Sequence, residues 1–306
     1  MNAPQRDNPH QLASAPVVVG VDGSDGSHLA VRWAAEVAAQ RGRRLLIVHG
    51  LDLLATQSLL GGYHVIPTSV VETVRARGVK IVTAAYGLAH DVAPEVEVAT
   101  EVSDANPARL LIDLSKSAYL VALGATGSAG IFAHLGSTLL AVTSHGHGSV
   151  VVVRPTDAER QIRHDGPVVV GIDGSLVSES AIAAAFAEAS DRETKLIALH
   201  SWSEWHFGEF AGQAGSHIDW HGLEIAEDAV LAERLAGWTE KYPDVHVTRK
   251  VYRTSPVDRL TEWSKSAQLI VVGSRGRGGF TGLLLGSTSS FLVQHALCPV
   301  MVTHSV

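Results

Sequence analysis

Pro16 to Ser24 reads PVVVGVDGS, and Pro167 to Ser175 reads PVVVGIDGS. One substitution, Val21 against Ile172, separates the two stretches. The correspondence continues in order, which a chance match would not do. GRRLLIVH, ending at His49, is answered by ETKLIALH, ending at His200. Leu114 to Gly127, LSKSAYLVALGATG, is answered by Trp263 to Gly276, WSKSAQLIVVGSRG, and LGST occurs at both Leu135–Thr138 and Leu285–Thr288. A repeat of this length is a whole domain. The 306 residues therefore divide into domains at 16–154 and 167–306, with a flexible tail at 1–15 and a charged linker at 155–166 that opens on Pro155.

Periodicity inside each copy gives the fold. Val17 to Val21 is a continuous β-branched run, the pattern of a strand buried on both faces of a parallel sheet. A turn of Asp, Gly and Ser follows, and then Ala30, Trp33, Ala34, Val37 and Ala38 fall on one helical stripe that ends near Gly42. Ile182, Ala185, Phe186 and Ala189 repeat that stripe. Further strands are expected at 45–49, 96–102, 119–123 and 150–153, with helices around 70–89, 106–117 and 136–144. Strands near 196–200, 245–252, 268–272 and 299–303 are expected in the second copy. The fold class is α/β: two tandem doubly wound domains, each a five-stranded parallel sheet of order 3-2-1-4-5 flanked by helices.

Composition bounds the function. The net charge of −7, from 24 basic and 31 acidic side chains, without any basic run, argues against a nucleic-acid partner. No apolar stretch approaches the length of a membrane span, and the N-terminus lacks the apolar core of a secretory signal. The single cysteine, Cys298, fits a reducing compartment and reads as a buried structural thiol. A cytoplasmic protein is expected.

In a doubly wound sheet the ligand crevice opens between strands one and four at their C-terminal ends. Two loops fall there in the second copy: Gly171-Ile172-Asp173-Gly174-Ser175, and Val272-Gly273-Ser274-Arg275-Gly276-Arg277-Gly278-Gly279. Glycine lets backbone amides approach phosphate oxygens closely. Ser287 follows Gly286 where the next helix begins, so its hydroxyl and the first-turn amides can hold an anion. Arg275 and Arg277 add positive charge. Asp173 is suited instead to ribose hydroxyls or an adenine amino group. Neither a Walker-type Gly-Lys-Ser/Thr nor a Gly-x-Gly-x-x-Gly turn is present.

Gly273, Gly276, Gly286 and Ser287 satisfy Gly-x2-Gly-x9-Gly-Ser, the spacing carried by ATP-binding members of the universal stress protein family, which this chain resembles over nearly its whole length. The resemblance implies an ATP site, with Mg, in which Gly171 and Asp173 line the nucleoside side and Ser201 lies beside the base. Val272 and Gly273 would flank the ribose and first phosphate, and Gly276, Arg277, Gly286, Ser287 and Thr288 would hold the phosphates. Ser201 departs from the apolar residue usual there. In the first copy Gly20, Asp22, Gly50, Gly124, Gly127, Gly136, Ser137 and Thr138 occupy the matching positions. There only eight residues separate Gly127 from Gly136, and Thr126 and Ser128 replace the arginines, so weaker binding is expected.

Bland readings stand beside these. The glycines could serve packing alone, and Asp22 and Asp173 could simply cap the following helices through Asx-type turns. The histidine pairs His145/His147 and His217/His221 lack a completing ligand set, so no metal site is expected. His49 and His200, which end matching strands, read as structural. The aromatic-rich stretch Ser201 to Gly222 reads as a long loop that covers the base or meets a partner. No Gly-x-Ser-x-Gly elbow or acid–base pair marks a catalyst.

Three functions remain open. The first is an ATP-dependent regulator or sensor in stress or growth arrest, acting on a regulatory protein partner. The second is a slow ATPase or nucleotidyl transferase of the related adenine-nucleotide hydrolase type. The third is an interaction module without nucleotide. The family resemblance further implies that last strands such as Pro299 to Thr303 join domains, giving a pseudo-dimer of the two copies and then a homodimer.

Overall fold

The computed structural model describes residues 14–55, 67–125, 136–156, 161–201, 220–276 and 285–305. The tail at 1–13, Thr126 to Ser128 with Gly127, Arg277 and the aromatic stretch at 202–219 with His217 lie outside the described residues. The chain divides into two compact units between Arg154 and Pro155.

In the first unit the elements are β1 (Val17–Gly20), α1 (Asp25–Gln40), β2 (Leu45–Gly50), α2 (Thr68–Val92), β3 (Val98–Ser103), α3 (Pro107–Ser115), β4 (Leu120–Gly124), α4 (Ser137–His145) and β5 (Ser149–Val153). The second unit repeats them as β6 (Val168–Ile172), α5 (Leu176–Asp191), β7 (Leu196–Ser201), α6 (Trp220–Lys241), β8 (Val247–Tyr252), α7 (Pro256–Ser264), β9 (Leu269–Gly273), α8 (Ser287–His295) and β10 (Val300–Thr303). Strand order is β3-β2-β1-β4-β5 in one and β8-β7-β6-β9-β10 in the other. Each is the expected 3-2-1-4-5 order, with parallel pairing on both sides of the first strand.

Hydropathy explains the layering. Every residue of β1 is buried, because helices cover both faces: α1 packs with α2 and α3 with α4, and likewise α5 with α6 and α7 with α8. Trp33 and Phe186, on the expected stripes, are among the largest fully buried side chains. Each is the kind of residue whose truncation to alanine costs about 3–5 kcal/mol. Cys298 is buried, as expected. Helix α6 begins at Trp220, so the last three residues of the stretch read as loop are helical. Among the described residues no helix is long and apolar enough to cross a membrane.

The helices after β1 and β6 end alike. Arg43 N–H donates to the Ala38 carbonyl, and Thr194 N–H donates to the Ala189 carbonyl, the long return bond of a Schellman cap. The residue that turns the chain is Gly42 at φ 56° in one unit and Glu193 at φ 49° in the other. An L-residue with a β-carbon pays about 1–2 kcal/mol for this left-handed geometry. Glu193→Gly is expected to raise stability by about 1 kcal/mol, seen as a higher urea midpoint with an unchanged slope.

Candidate nucleotide site

At the carboxyl ends of β6 and β9 the two loops singled out in the sequence meet. After β6, Asp173 Oδ1 accepts the Ser175 N–H at 2.9 Å, and Gly174 turns at φ 79°. Ser175 then caps α5, its side chain accepting from Ser178 N–H at 3.3 Å. Asp22 Oδ1 accepts from Ser24 N–H at 3.0 Å and Ser24 caps α1 in the same way. The Asx turn is therefore real, but the cap proper is the serine. One carboxylate oxygen shapes the loop, and the other is directed elsewhere.

In the second unit that other oxygen is directed at the glycine loop. A β-carbon at Gly276 would stand 2.4 Å from Asp173 Oδ2, closer than a side chain tolerates. A side chain here would displace the Asp173 carboxylate, so glycine lets the loop after β9 close against Asp173. The far end of that loop is tied down as well. Gly286 N–H donates to the Ser274 carbonyl at 2.7 Å, and Ser274 N–H donates to Thr303 at 2.7 Å. Ser289 Oγ donates to the Gly273 carbonyl at 2.6 Å. Ser274 and Ser289 are buried, while Arg275, Gly276 and Ser287 are exposed on the rim.

Helix α8 begins at Gly286 without a side-chain cap. A helix start carries unpaired amides and partial positive charge, which suits an anion. The exposed Ser287 is its first residue, and the backbone of Arg275 lies beside Gly286. The Asp173 carboxylate would repel phosphate and accept hydroxyl or amino donors, so the crevice is polarised along its length.

Other predicted positions serve from behind the surface. Val272 is buried, and its carbonyl accepts from Thr303 Oγ1 at 3.4 Å. A β-carbon at Gly171 would meet Leu260 of α7 at 3.1 Å, and one at Gly20 would meet Leu123 and Leu111 at 2.8 and 2.9 Å, so both let α7 and α3 lie close on the strand. Ser201 turns its hydroxyl to the Thr254 carbonyl, bracing β7 against the start of α7. Its counterpart Gly50 achieves the same closeness by packing, since a β-carbon there would fall 2.7 Å from Pro107 Cα.

The first unit is built differently around its loop. Gly124 lies so close to the start of α1 that a β-carbon would fall 2.3 Å from the Gly26 backbone. Gly136 caps the start of α4 without a side-chain bond, and no described residue comes within 4 Å of the β-carbon it lacks. Ser137 follows exposed and Thr138 half-buried. Where the second unit has Ser289, the first has buried Leu139, which cannot donate to the strand-end glycine. This difference follows LGST directly in the sequence and was available to a closer comparison of the copies.

His49 and His200 have the structural roles expected of them, each Nδ1 holding the carbonyl before the aspartate, Val21 at 2.6 Å and Ile172 at 2.7 Å. A further partner, not expected from the sequence, is Glu227, whose Oε2 meets His200 Nε2 at 3.2 Å. Nothing local in the sequence pairs those residues. His145 Nδ1 is engaged with the Ala141 carbonyl of its own helix at 3.0 Å.

Known proteins agree with this architecture. The model of the Universal stress protein family matches residues 15–154 and again 166–304. Universal stress protein Rv2623 of Mycobacterium tuberculosis is 38% identical over 294 residues, covering 95% of this chain and 96% of its own. A universal stress protein of Mycolicibacterium smegmatis is 41% identical over 293 residues, covering 94% and 96%. The crystal structure of a universal stress protein from Archaeoglobus fulgidus superposes with a TM-score of 0.67 at 16% identity, over 94% of this chain and 98% of that one. With two consecutive family domains and relatives aligned along nearly its full length, the chain belongs to the universal stress protein family.

Proposed function

We propose that the second unit binds ATP and that the protein acts as a nucleotide-dependent regulator or sensor in stress or growth arrest. The observation that carries this reading is the approach of Gly276 to Asp173 beside the uncapped start of α8. It supports a site in which a carboxylate able to accept from ribose or an amino group stands beside an anion-binding backbone. In this reading Asp173 takes the nucleoside, while the Gly276 loop, Ser287 and Thr288 hold phosphates whose Mg is carried by the nucleotide itself. Bound nucleotide would favour one arrangement of the loops around the crevice and so alter contacts with a regulatory protein partner. We place this activity in the cytoplasm, in a homodimer; light scattering that gives a monomer mass would remove the dimer.

The units are expected to differ. Ser289 ties the strand-end glycine of the second unit, whereas Leu139 offers no such bond in the first, so the second unit holds its donors at a lower cost on binding. Denaturing the purified protein and chromatographing the released nucleotide should give adenine nucleotide at one equivalent per chain. Two equivalents would contradict the inequality. No release, together with no gain in thermal stability from millimolar ATP, would overturn ATP binding itself.

A further inference from the structure

His200, at the end of β7, is only 7% exposed. Its Nδ1 lies 2.7 Å from the Ile172 carbonyl, immediately before Asp173. A carbonyl only accepts, so Nδ1 carries a proton. Nε2 faces Glu227 Oε2 of α6 at 3.2 Å. A neutral imidazole has one N–H and one lone pair, and with Nδ1 protonated the lone pair would point at a carboxylate. Only the imidazolium donates to both partners at once.

The first unit supplies an internal control. His49 holds the Val21 carbonyl in the same way. Helices α2 and α6 close on equivalent turns, Val96 N–H donating to Ala93 and Val245 N–H to Tyr242, which sets Gly78 opposite Glu227. A β-carbon at Gly78 would lie 3.0 Å from the His49 ring. The helix approaches the histidine in both units, and only the second brings a carboxylate.

Among the described residues, the other charged groups on the elements flanking His200 pair with one another or lie at the surface. On α6, Asp228 pairs with Arg249 of β8 at 3.1 Å, raising the Arg249 pKa above its ordinary value through their hydrogen bond. Arg234 pairs with Glu179 of α5 at 3.2 Å. Glu224, Lys250, Arg253 and Asp258 are exposed, and Arg259 of α7 donates to the Thr254 hydroxyl at 3.0 Å. The strand neighbours in register are Ile172 and Val251. Asp173 lies one residue beyond the carbonyl, with Oδ1 on Ser175.

We infer that His200 is a positioning residue of the second site: its imidazolium, held by Glu227, ties α6 to the backbone that presents Asp173 and makes that site pH-responsive. Loss of the proton removes the donor to Glu227, releases the tie to α6 and leaves only the carbonyl contact. The consequence for ATP rests on the reading of the second unit as a nucleotide site.

The test uses the full-length protein and its Glu227→Gln and Glu227→Gly variants. A glutamine amide can donate to neutral Nε2, so it preserves the bridge without charge, whereas glycine reproduces the first unit. Ring nitrogen NMR between about pH 5 and pH 9 should show His200 doubly protonated at the acid end, and the Ser175 and Ser178 amide signals should move as it titrates. In Glu227→Gln those amides should stay nearly still. The ratio of wild-type to Glu227→Gln ATP affinity cancels titration of the phosphates, and it should fall about fivefold from the acid to the alkaline end. Glu227→Gly should give the lower affinity at both ends. A singly protonated His200 throughout, amides that ignore its titration, or parallel affinity profiles would overturn the proposal. Should ATP fail to bind at any pH, the nucleotide reading falls, and the amide titration still decides the coupling.

Discussion

Gly276→Val is expected to lower the ATP affinity of the second unit about 10- to 100-fold while leaving the fold intact. The substituted β-carbon would stand 2.4 Å from Asp173 Oδ2, so either the carboxylate or the loop must move. Moving the loop withdraws backbone donors from the phosphates, and a hydrogen bond to a charged group is worth about 1.5–3 kcal/mol, or about one to two decades of affinity. Moving Asp173 instead costs the nucleoside its acceptor, with a similar result. Because Gly276 is on the exposed rim, thermal unfolding without nucleotide should be nearly unchanged. Titration calorimetry that found the same affinity would show that ATP does not use this loop.

A stability effect as large as that of truncating a core aromatic residue is expected at Glu188, on the buried side of α5. Glu188 is 1% exposed and accepts from Arg192 Nε at 3.0 Å. Arg192 Nη1 in turn donates to Gln268 at 3.2 Å, and Gln268 donates to the Gly166 carbonyl at 2.7 Å. Removing one partner leaves the other charge buried, which costs about 3–5 kcal/mol. Glu188→Ala should lose that much in urea unfolding followed by hydrogen exchange in the second unit.

The first unit indicates how the loss could be offset. There Val37 stands at the Glu188 position, and Arg41, the counterpart of Arg192, contacts the Tyr119 hydroxyl and lies 4.9 Å from its ring centroid. Arg43 stacks on the same ring at 4.1 Å. Two solutions to one buried arginine thus occupy equivalent places. Glu188→Val with Gln268→Tyr should recover about 1–2 kcal/mol relative to Glu188→Val alone, through the cation–π contact. No recovery would show that the copies differ in more than these side chains.

The contrast between copies also shows how far local pattern reaches. Gly42 and Glu193 occupy the same turn and the same left-handed backbone, yet only glycine advertises it. The helix stripe through Ile182, Ala185, Phe186 and Ala189 was legible because an apolar period reports which face is buried. Glu188, on that same buried side, was not, because the arginine that neutralises it is held in turn by Gln268, 76 residues further along the chain.

The sequence by itself determined the duplicated α/β architecture, the strand order and the spacing Gly273, Gly276, Gly286, Ser287. These follow from periodicity, turn chemistry and self-similarity, all of which are local or repeated along the chain. Only the tertiary structure decided that Asp173 lies against Gly276, that Ser289 ties the loop to Gly273, and that Glu227 reaches His200 while Gly78 faces His49. Each of these depends on where one element's side chain stops against another's backbone. Separations of a few tenths of an ångström, summed through helix packing, determine such contacts, and they leave no periodic trace in the order of the residues.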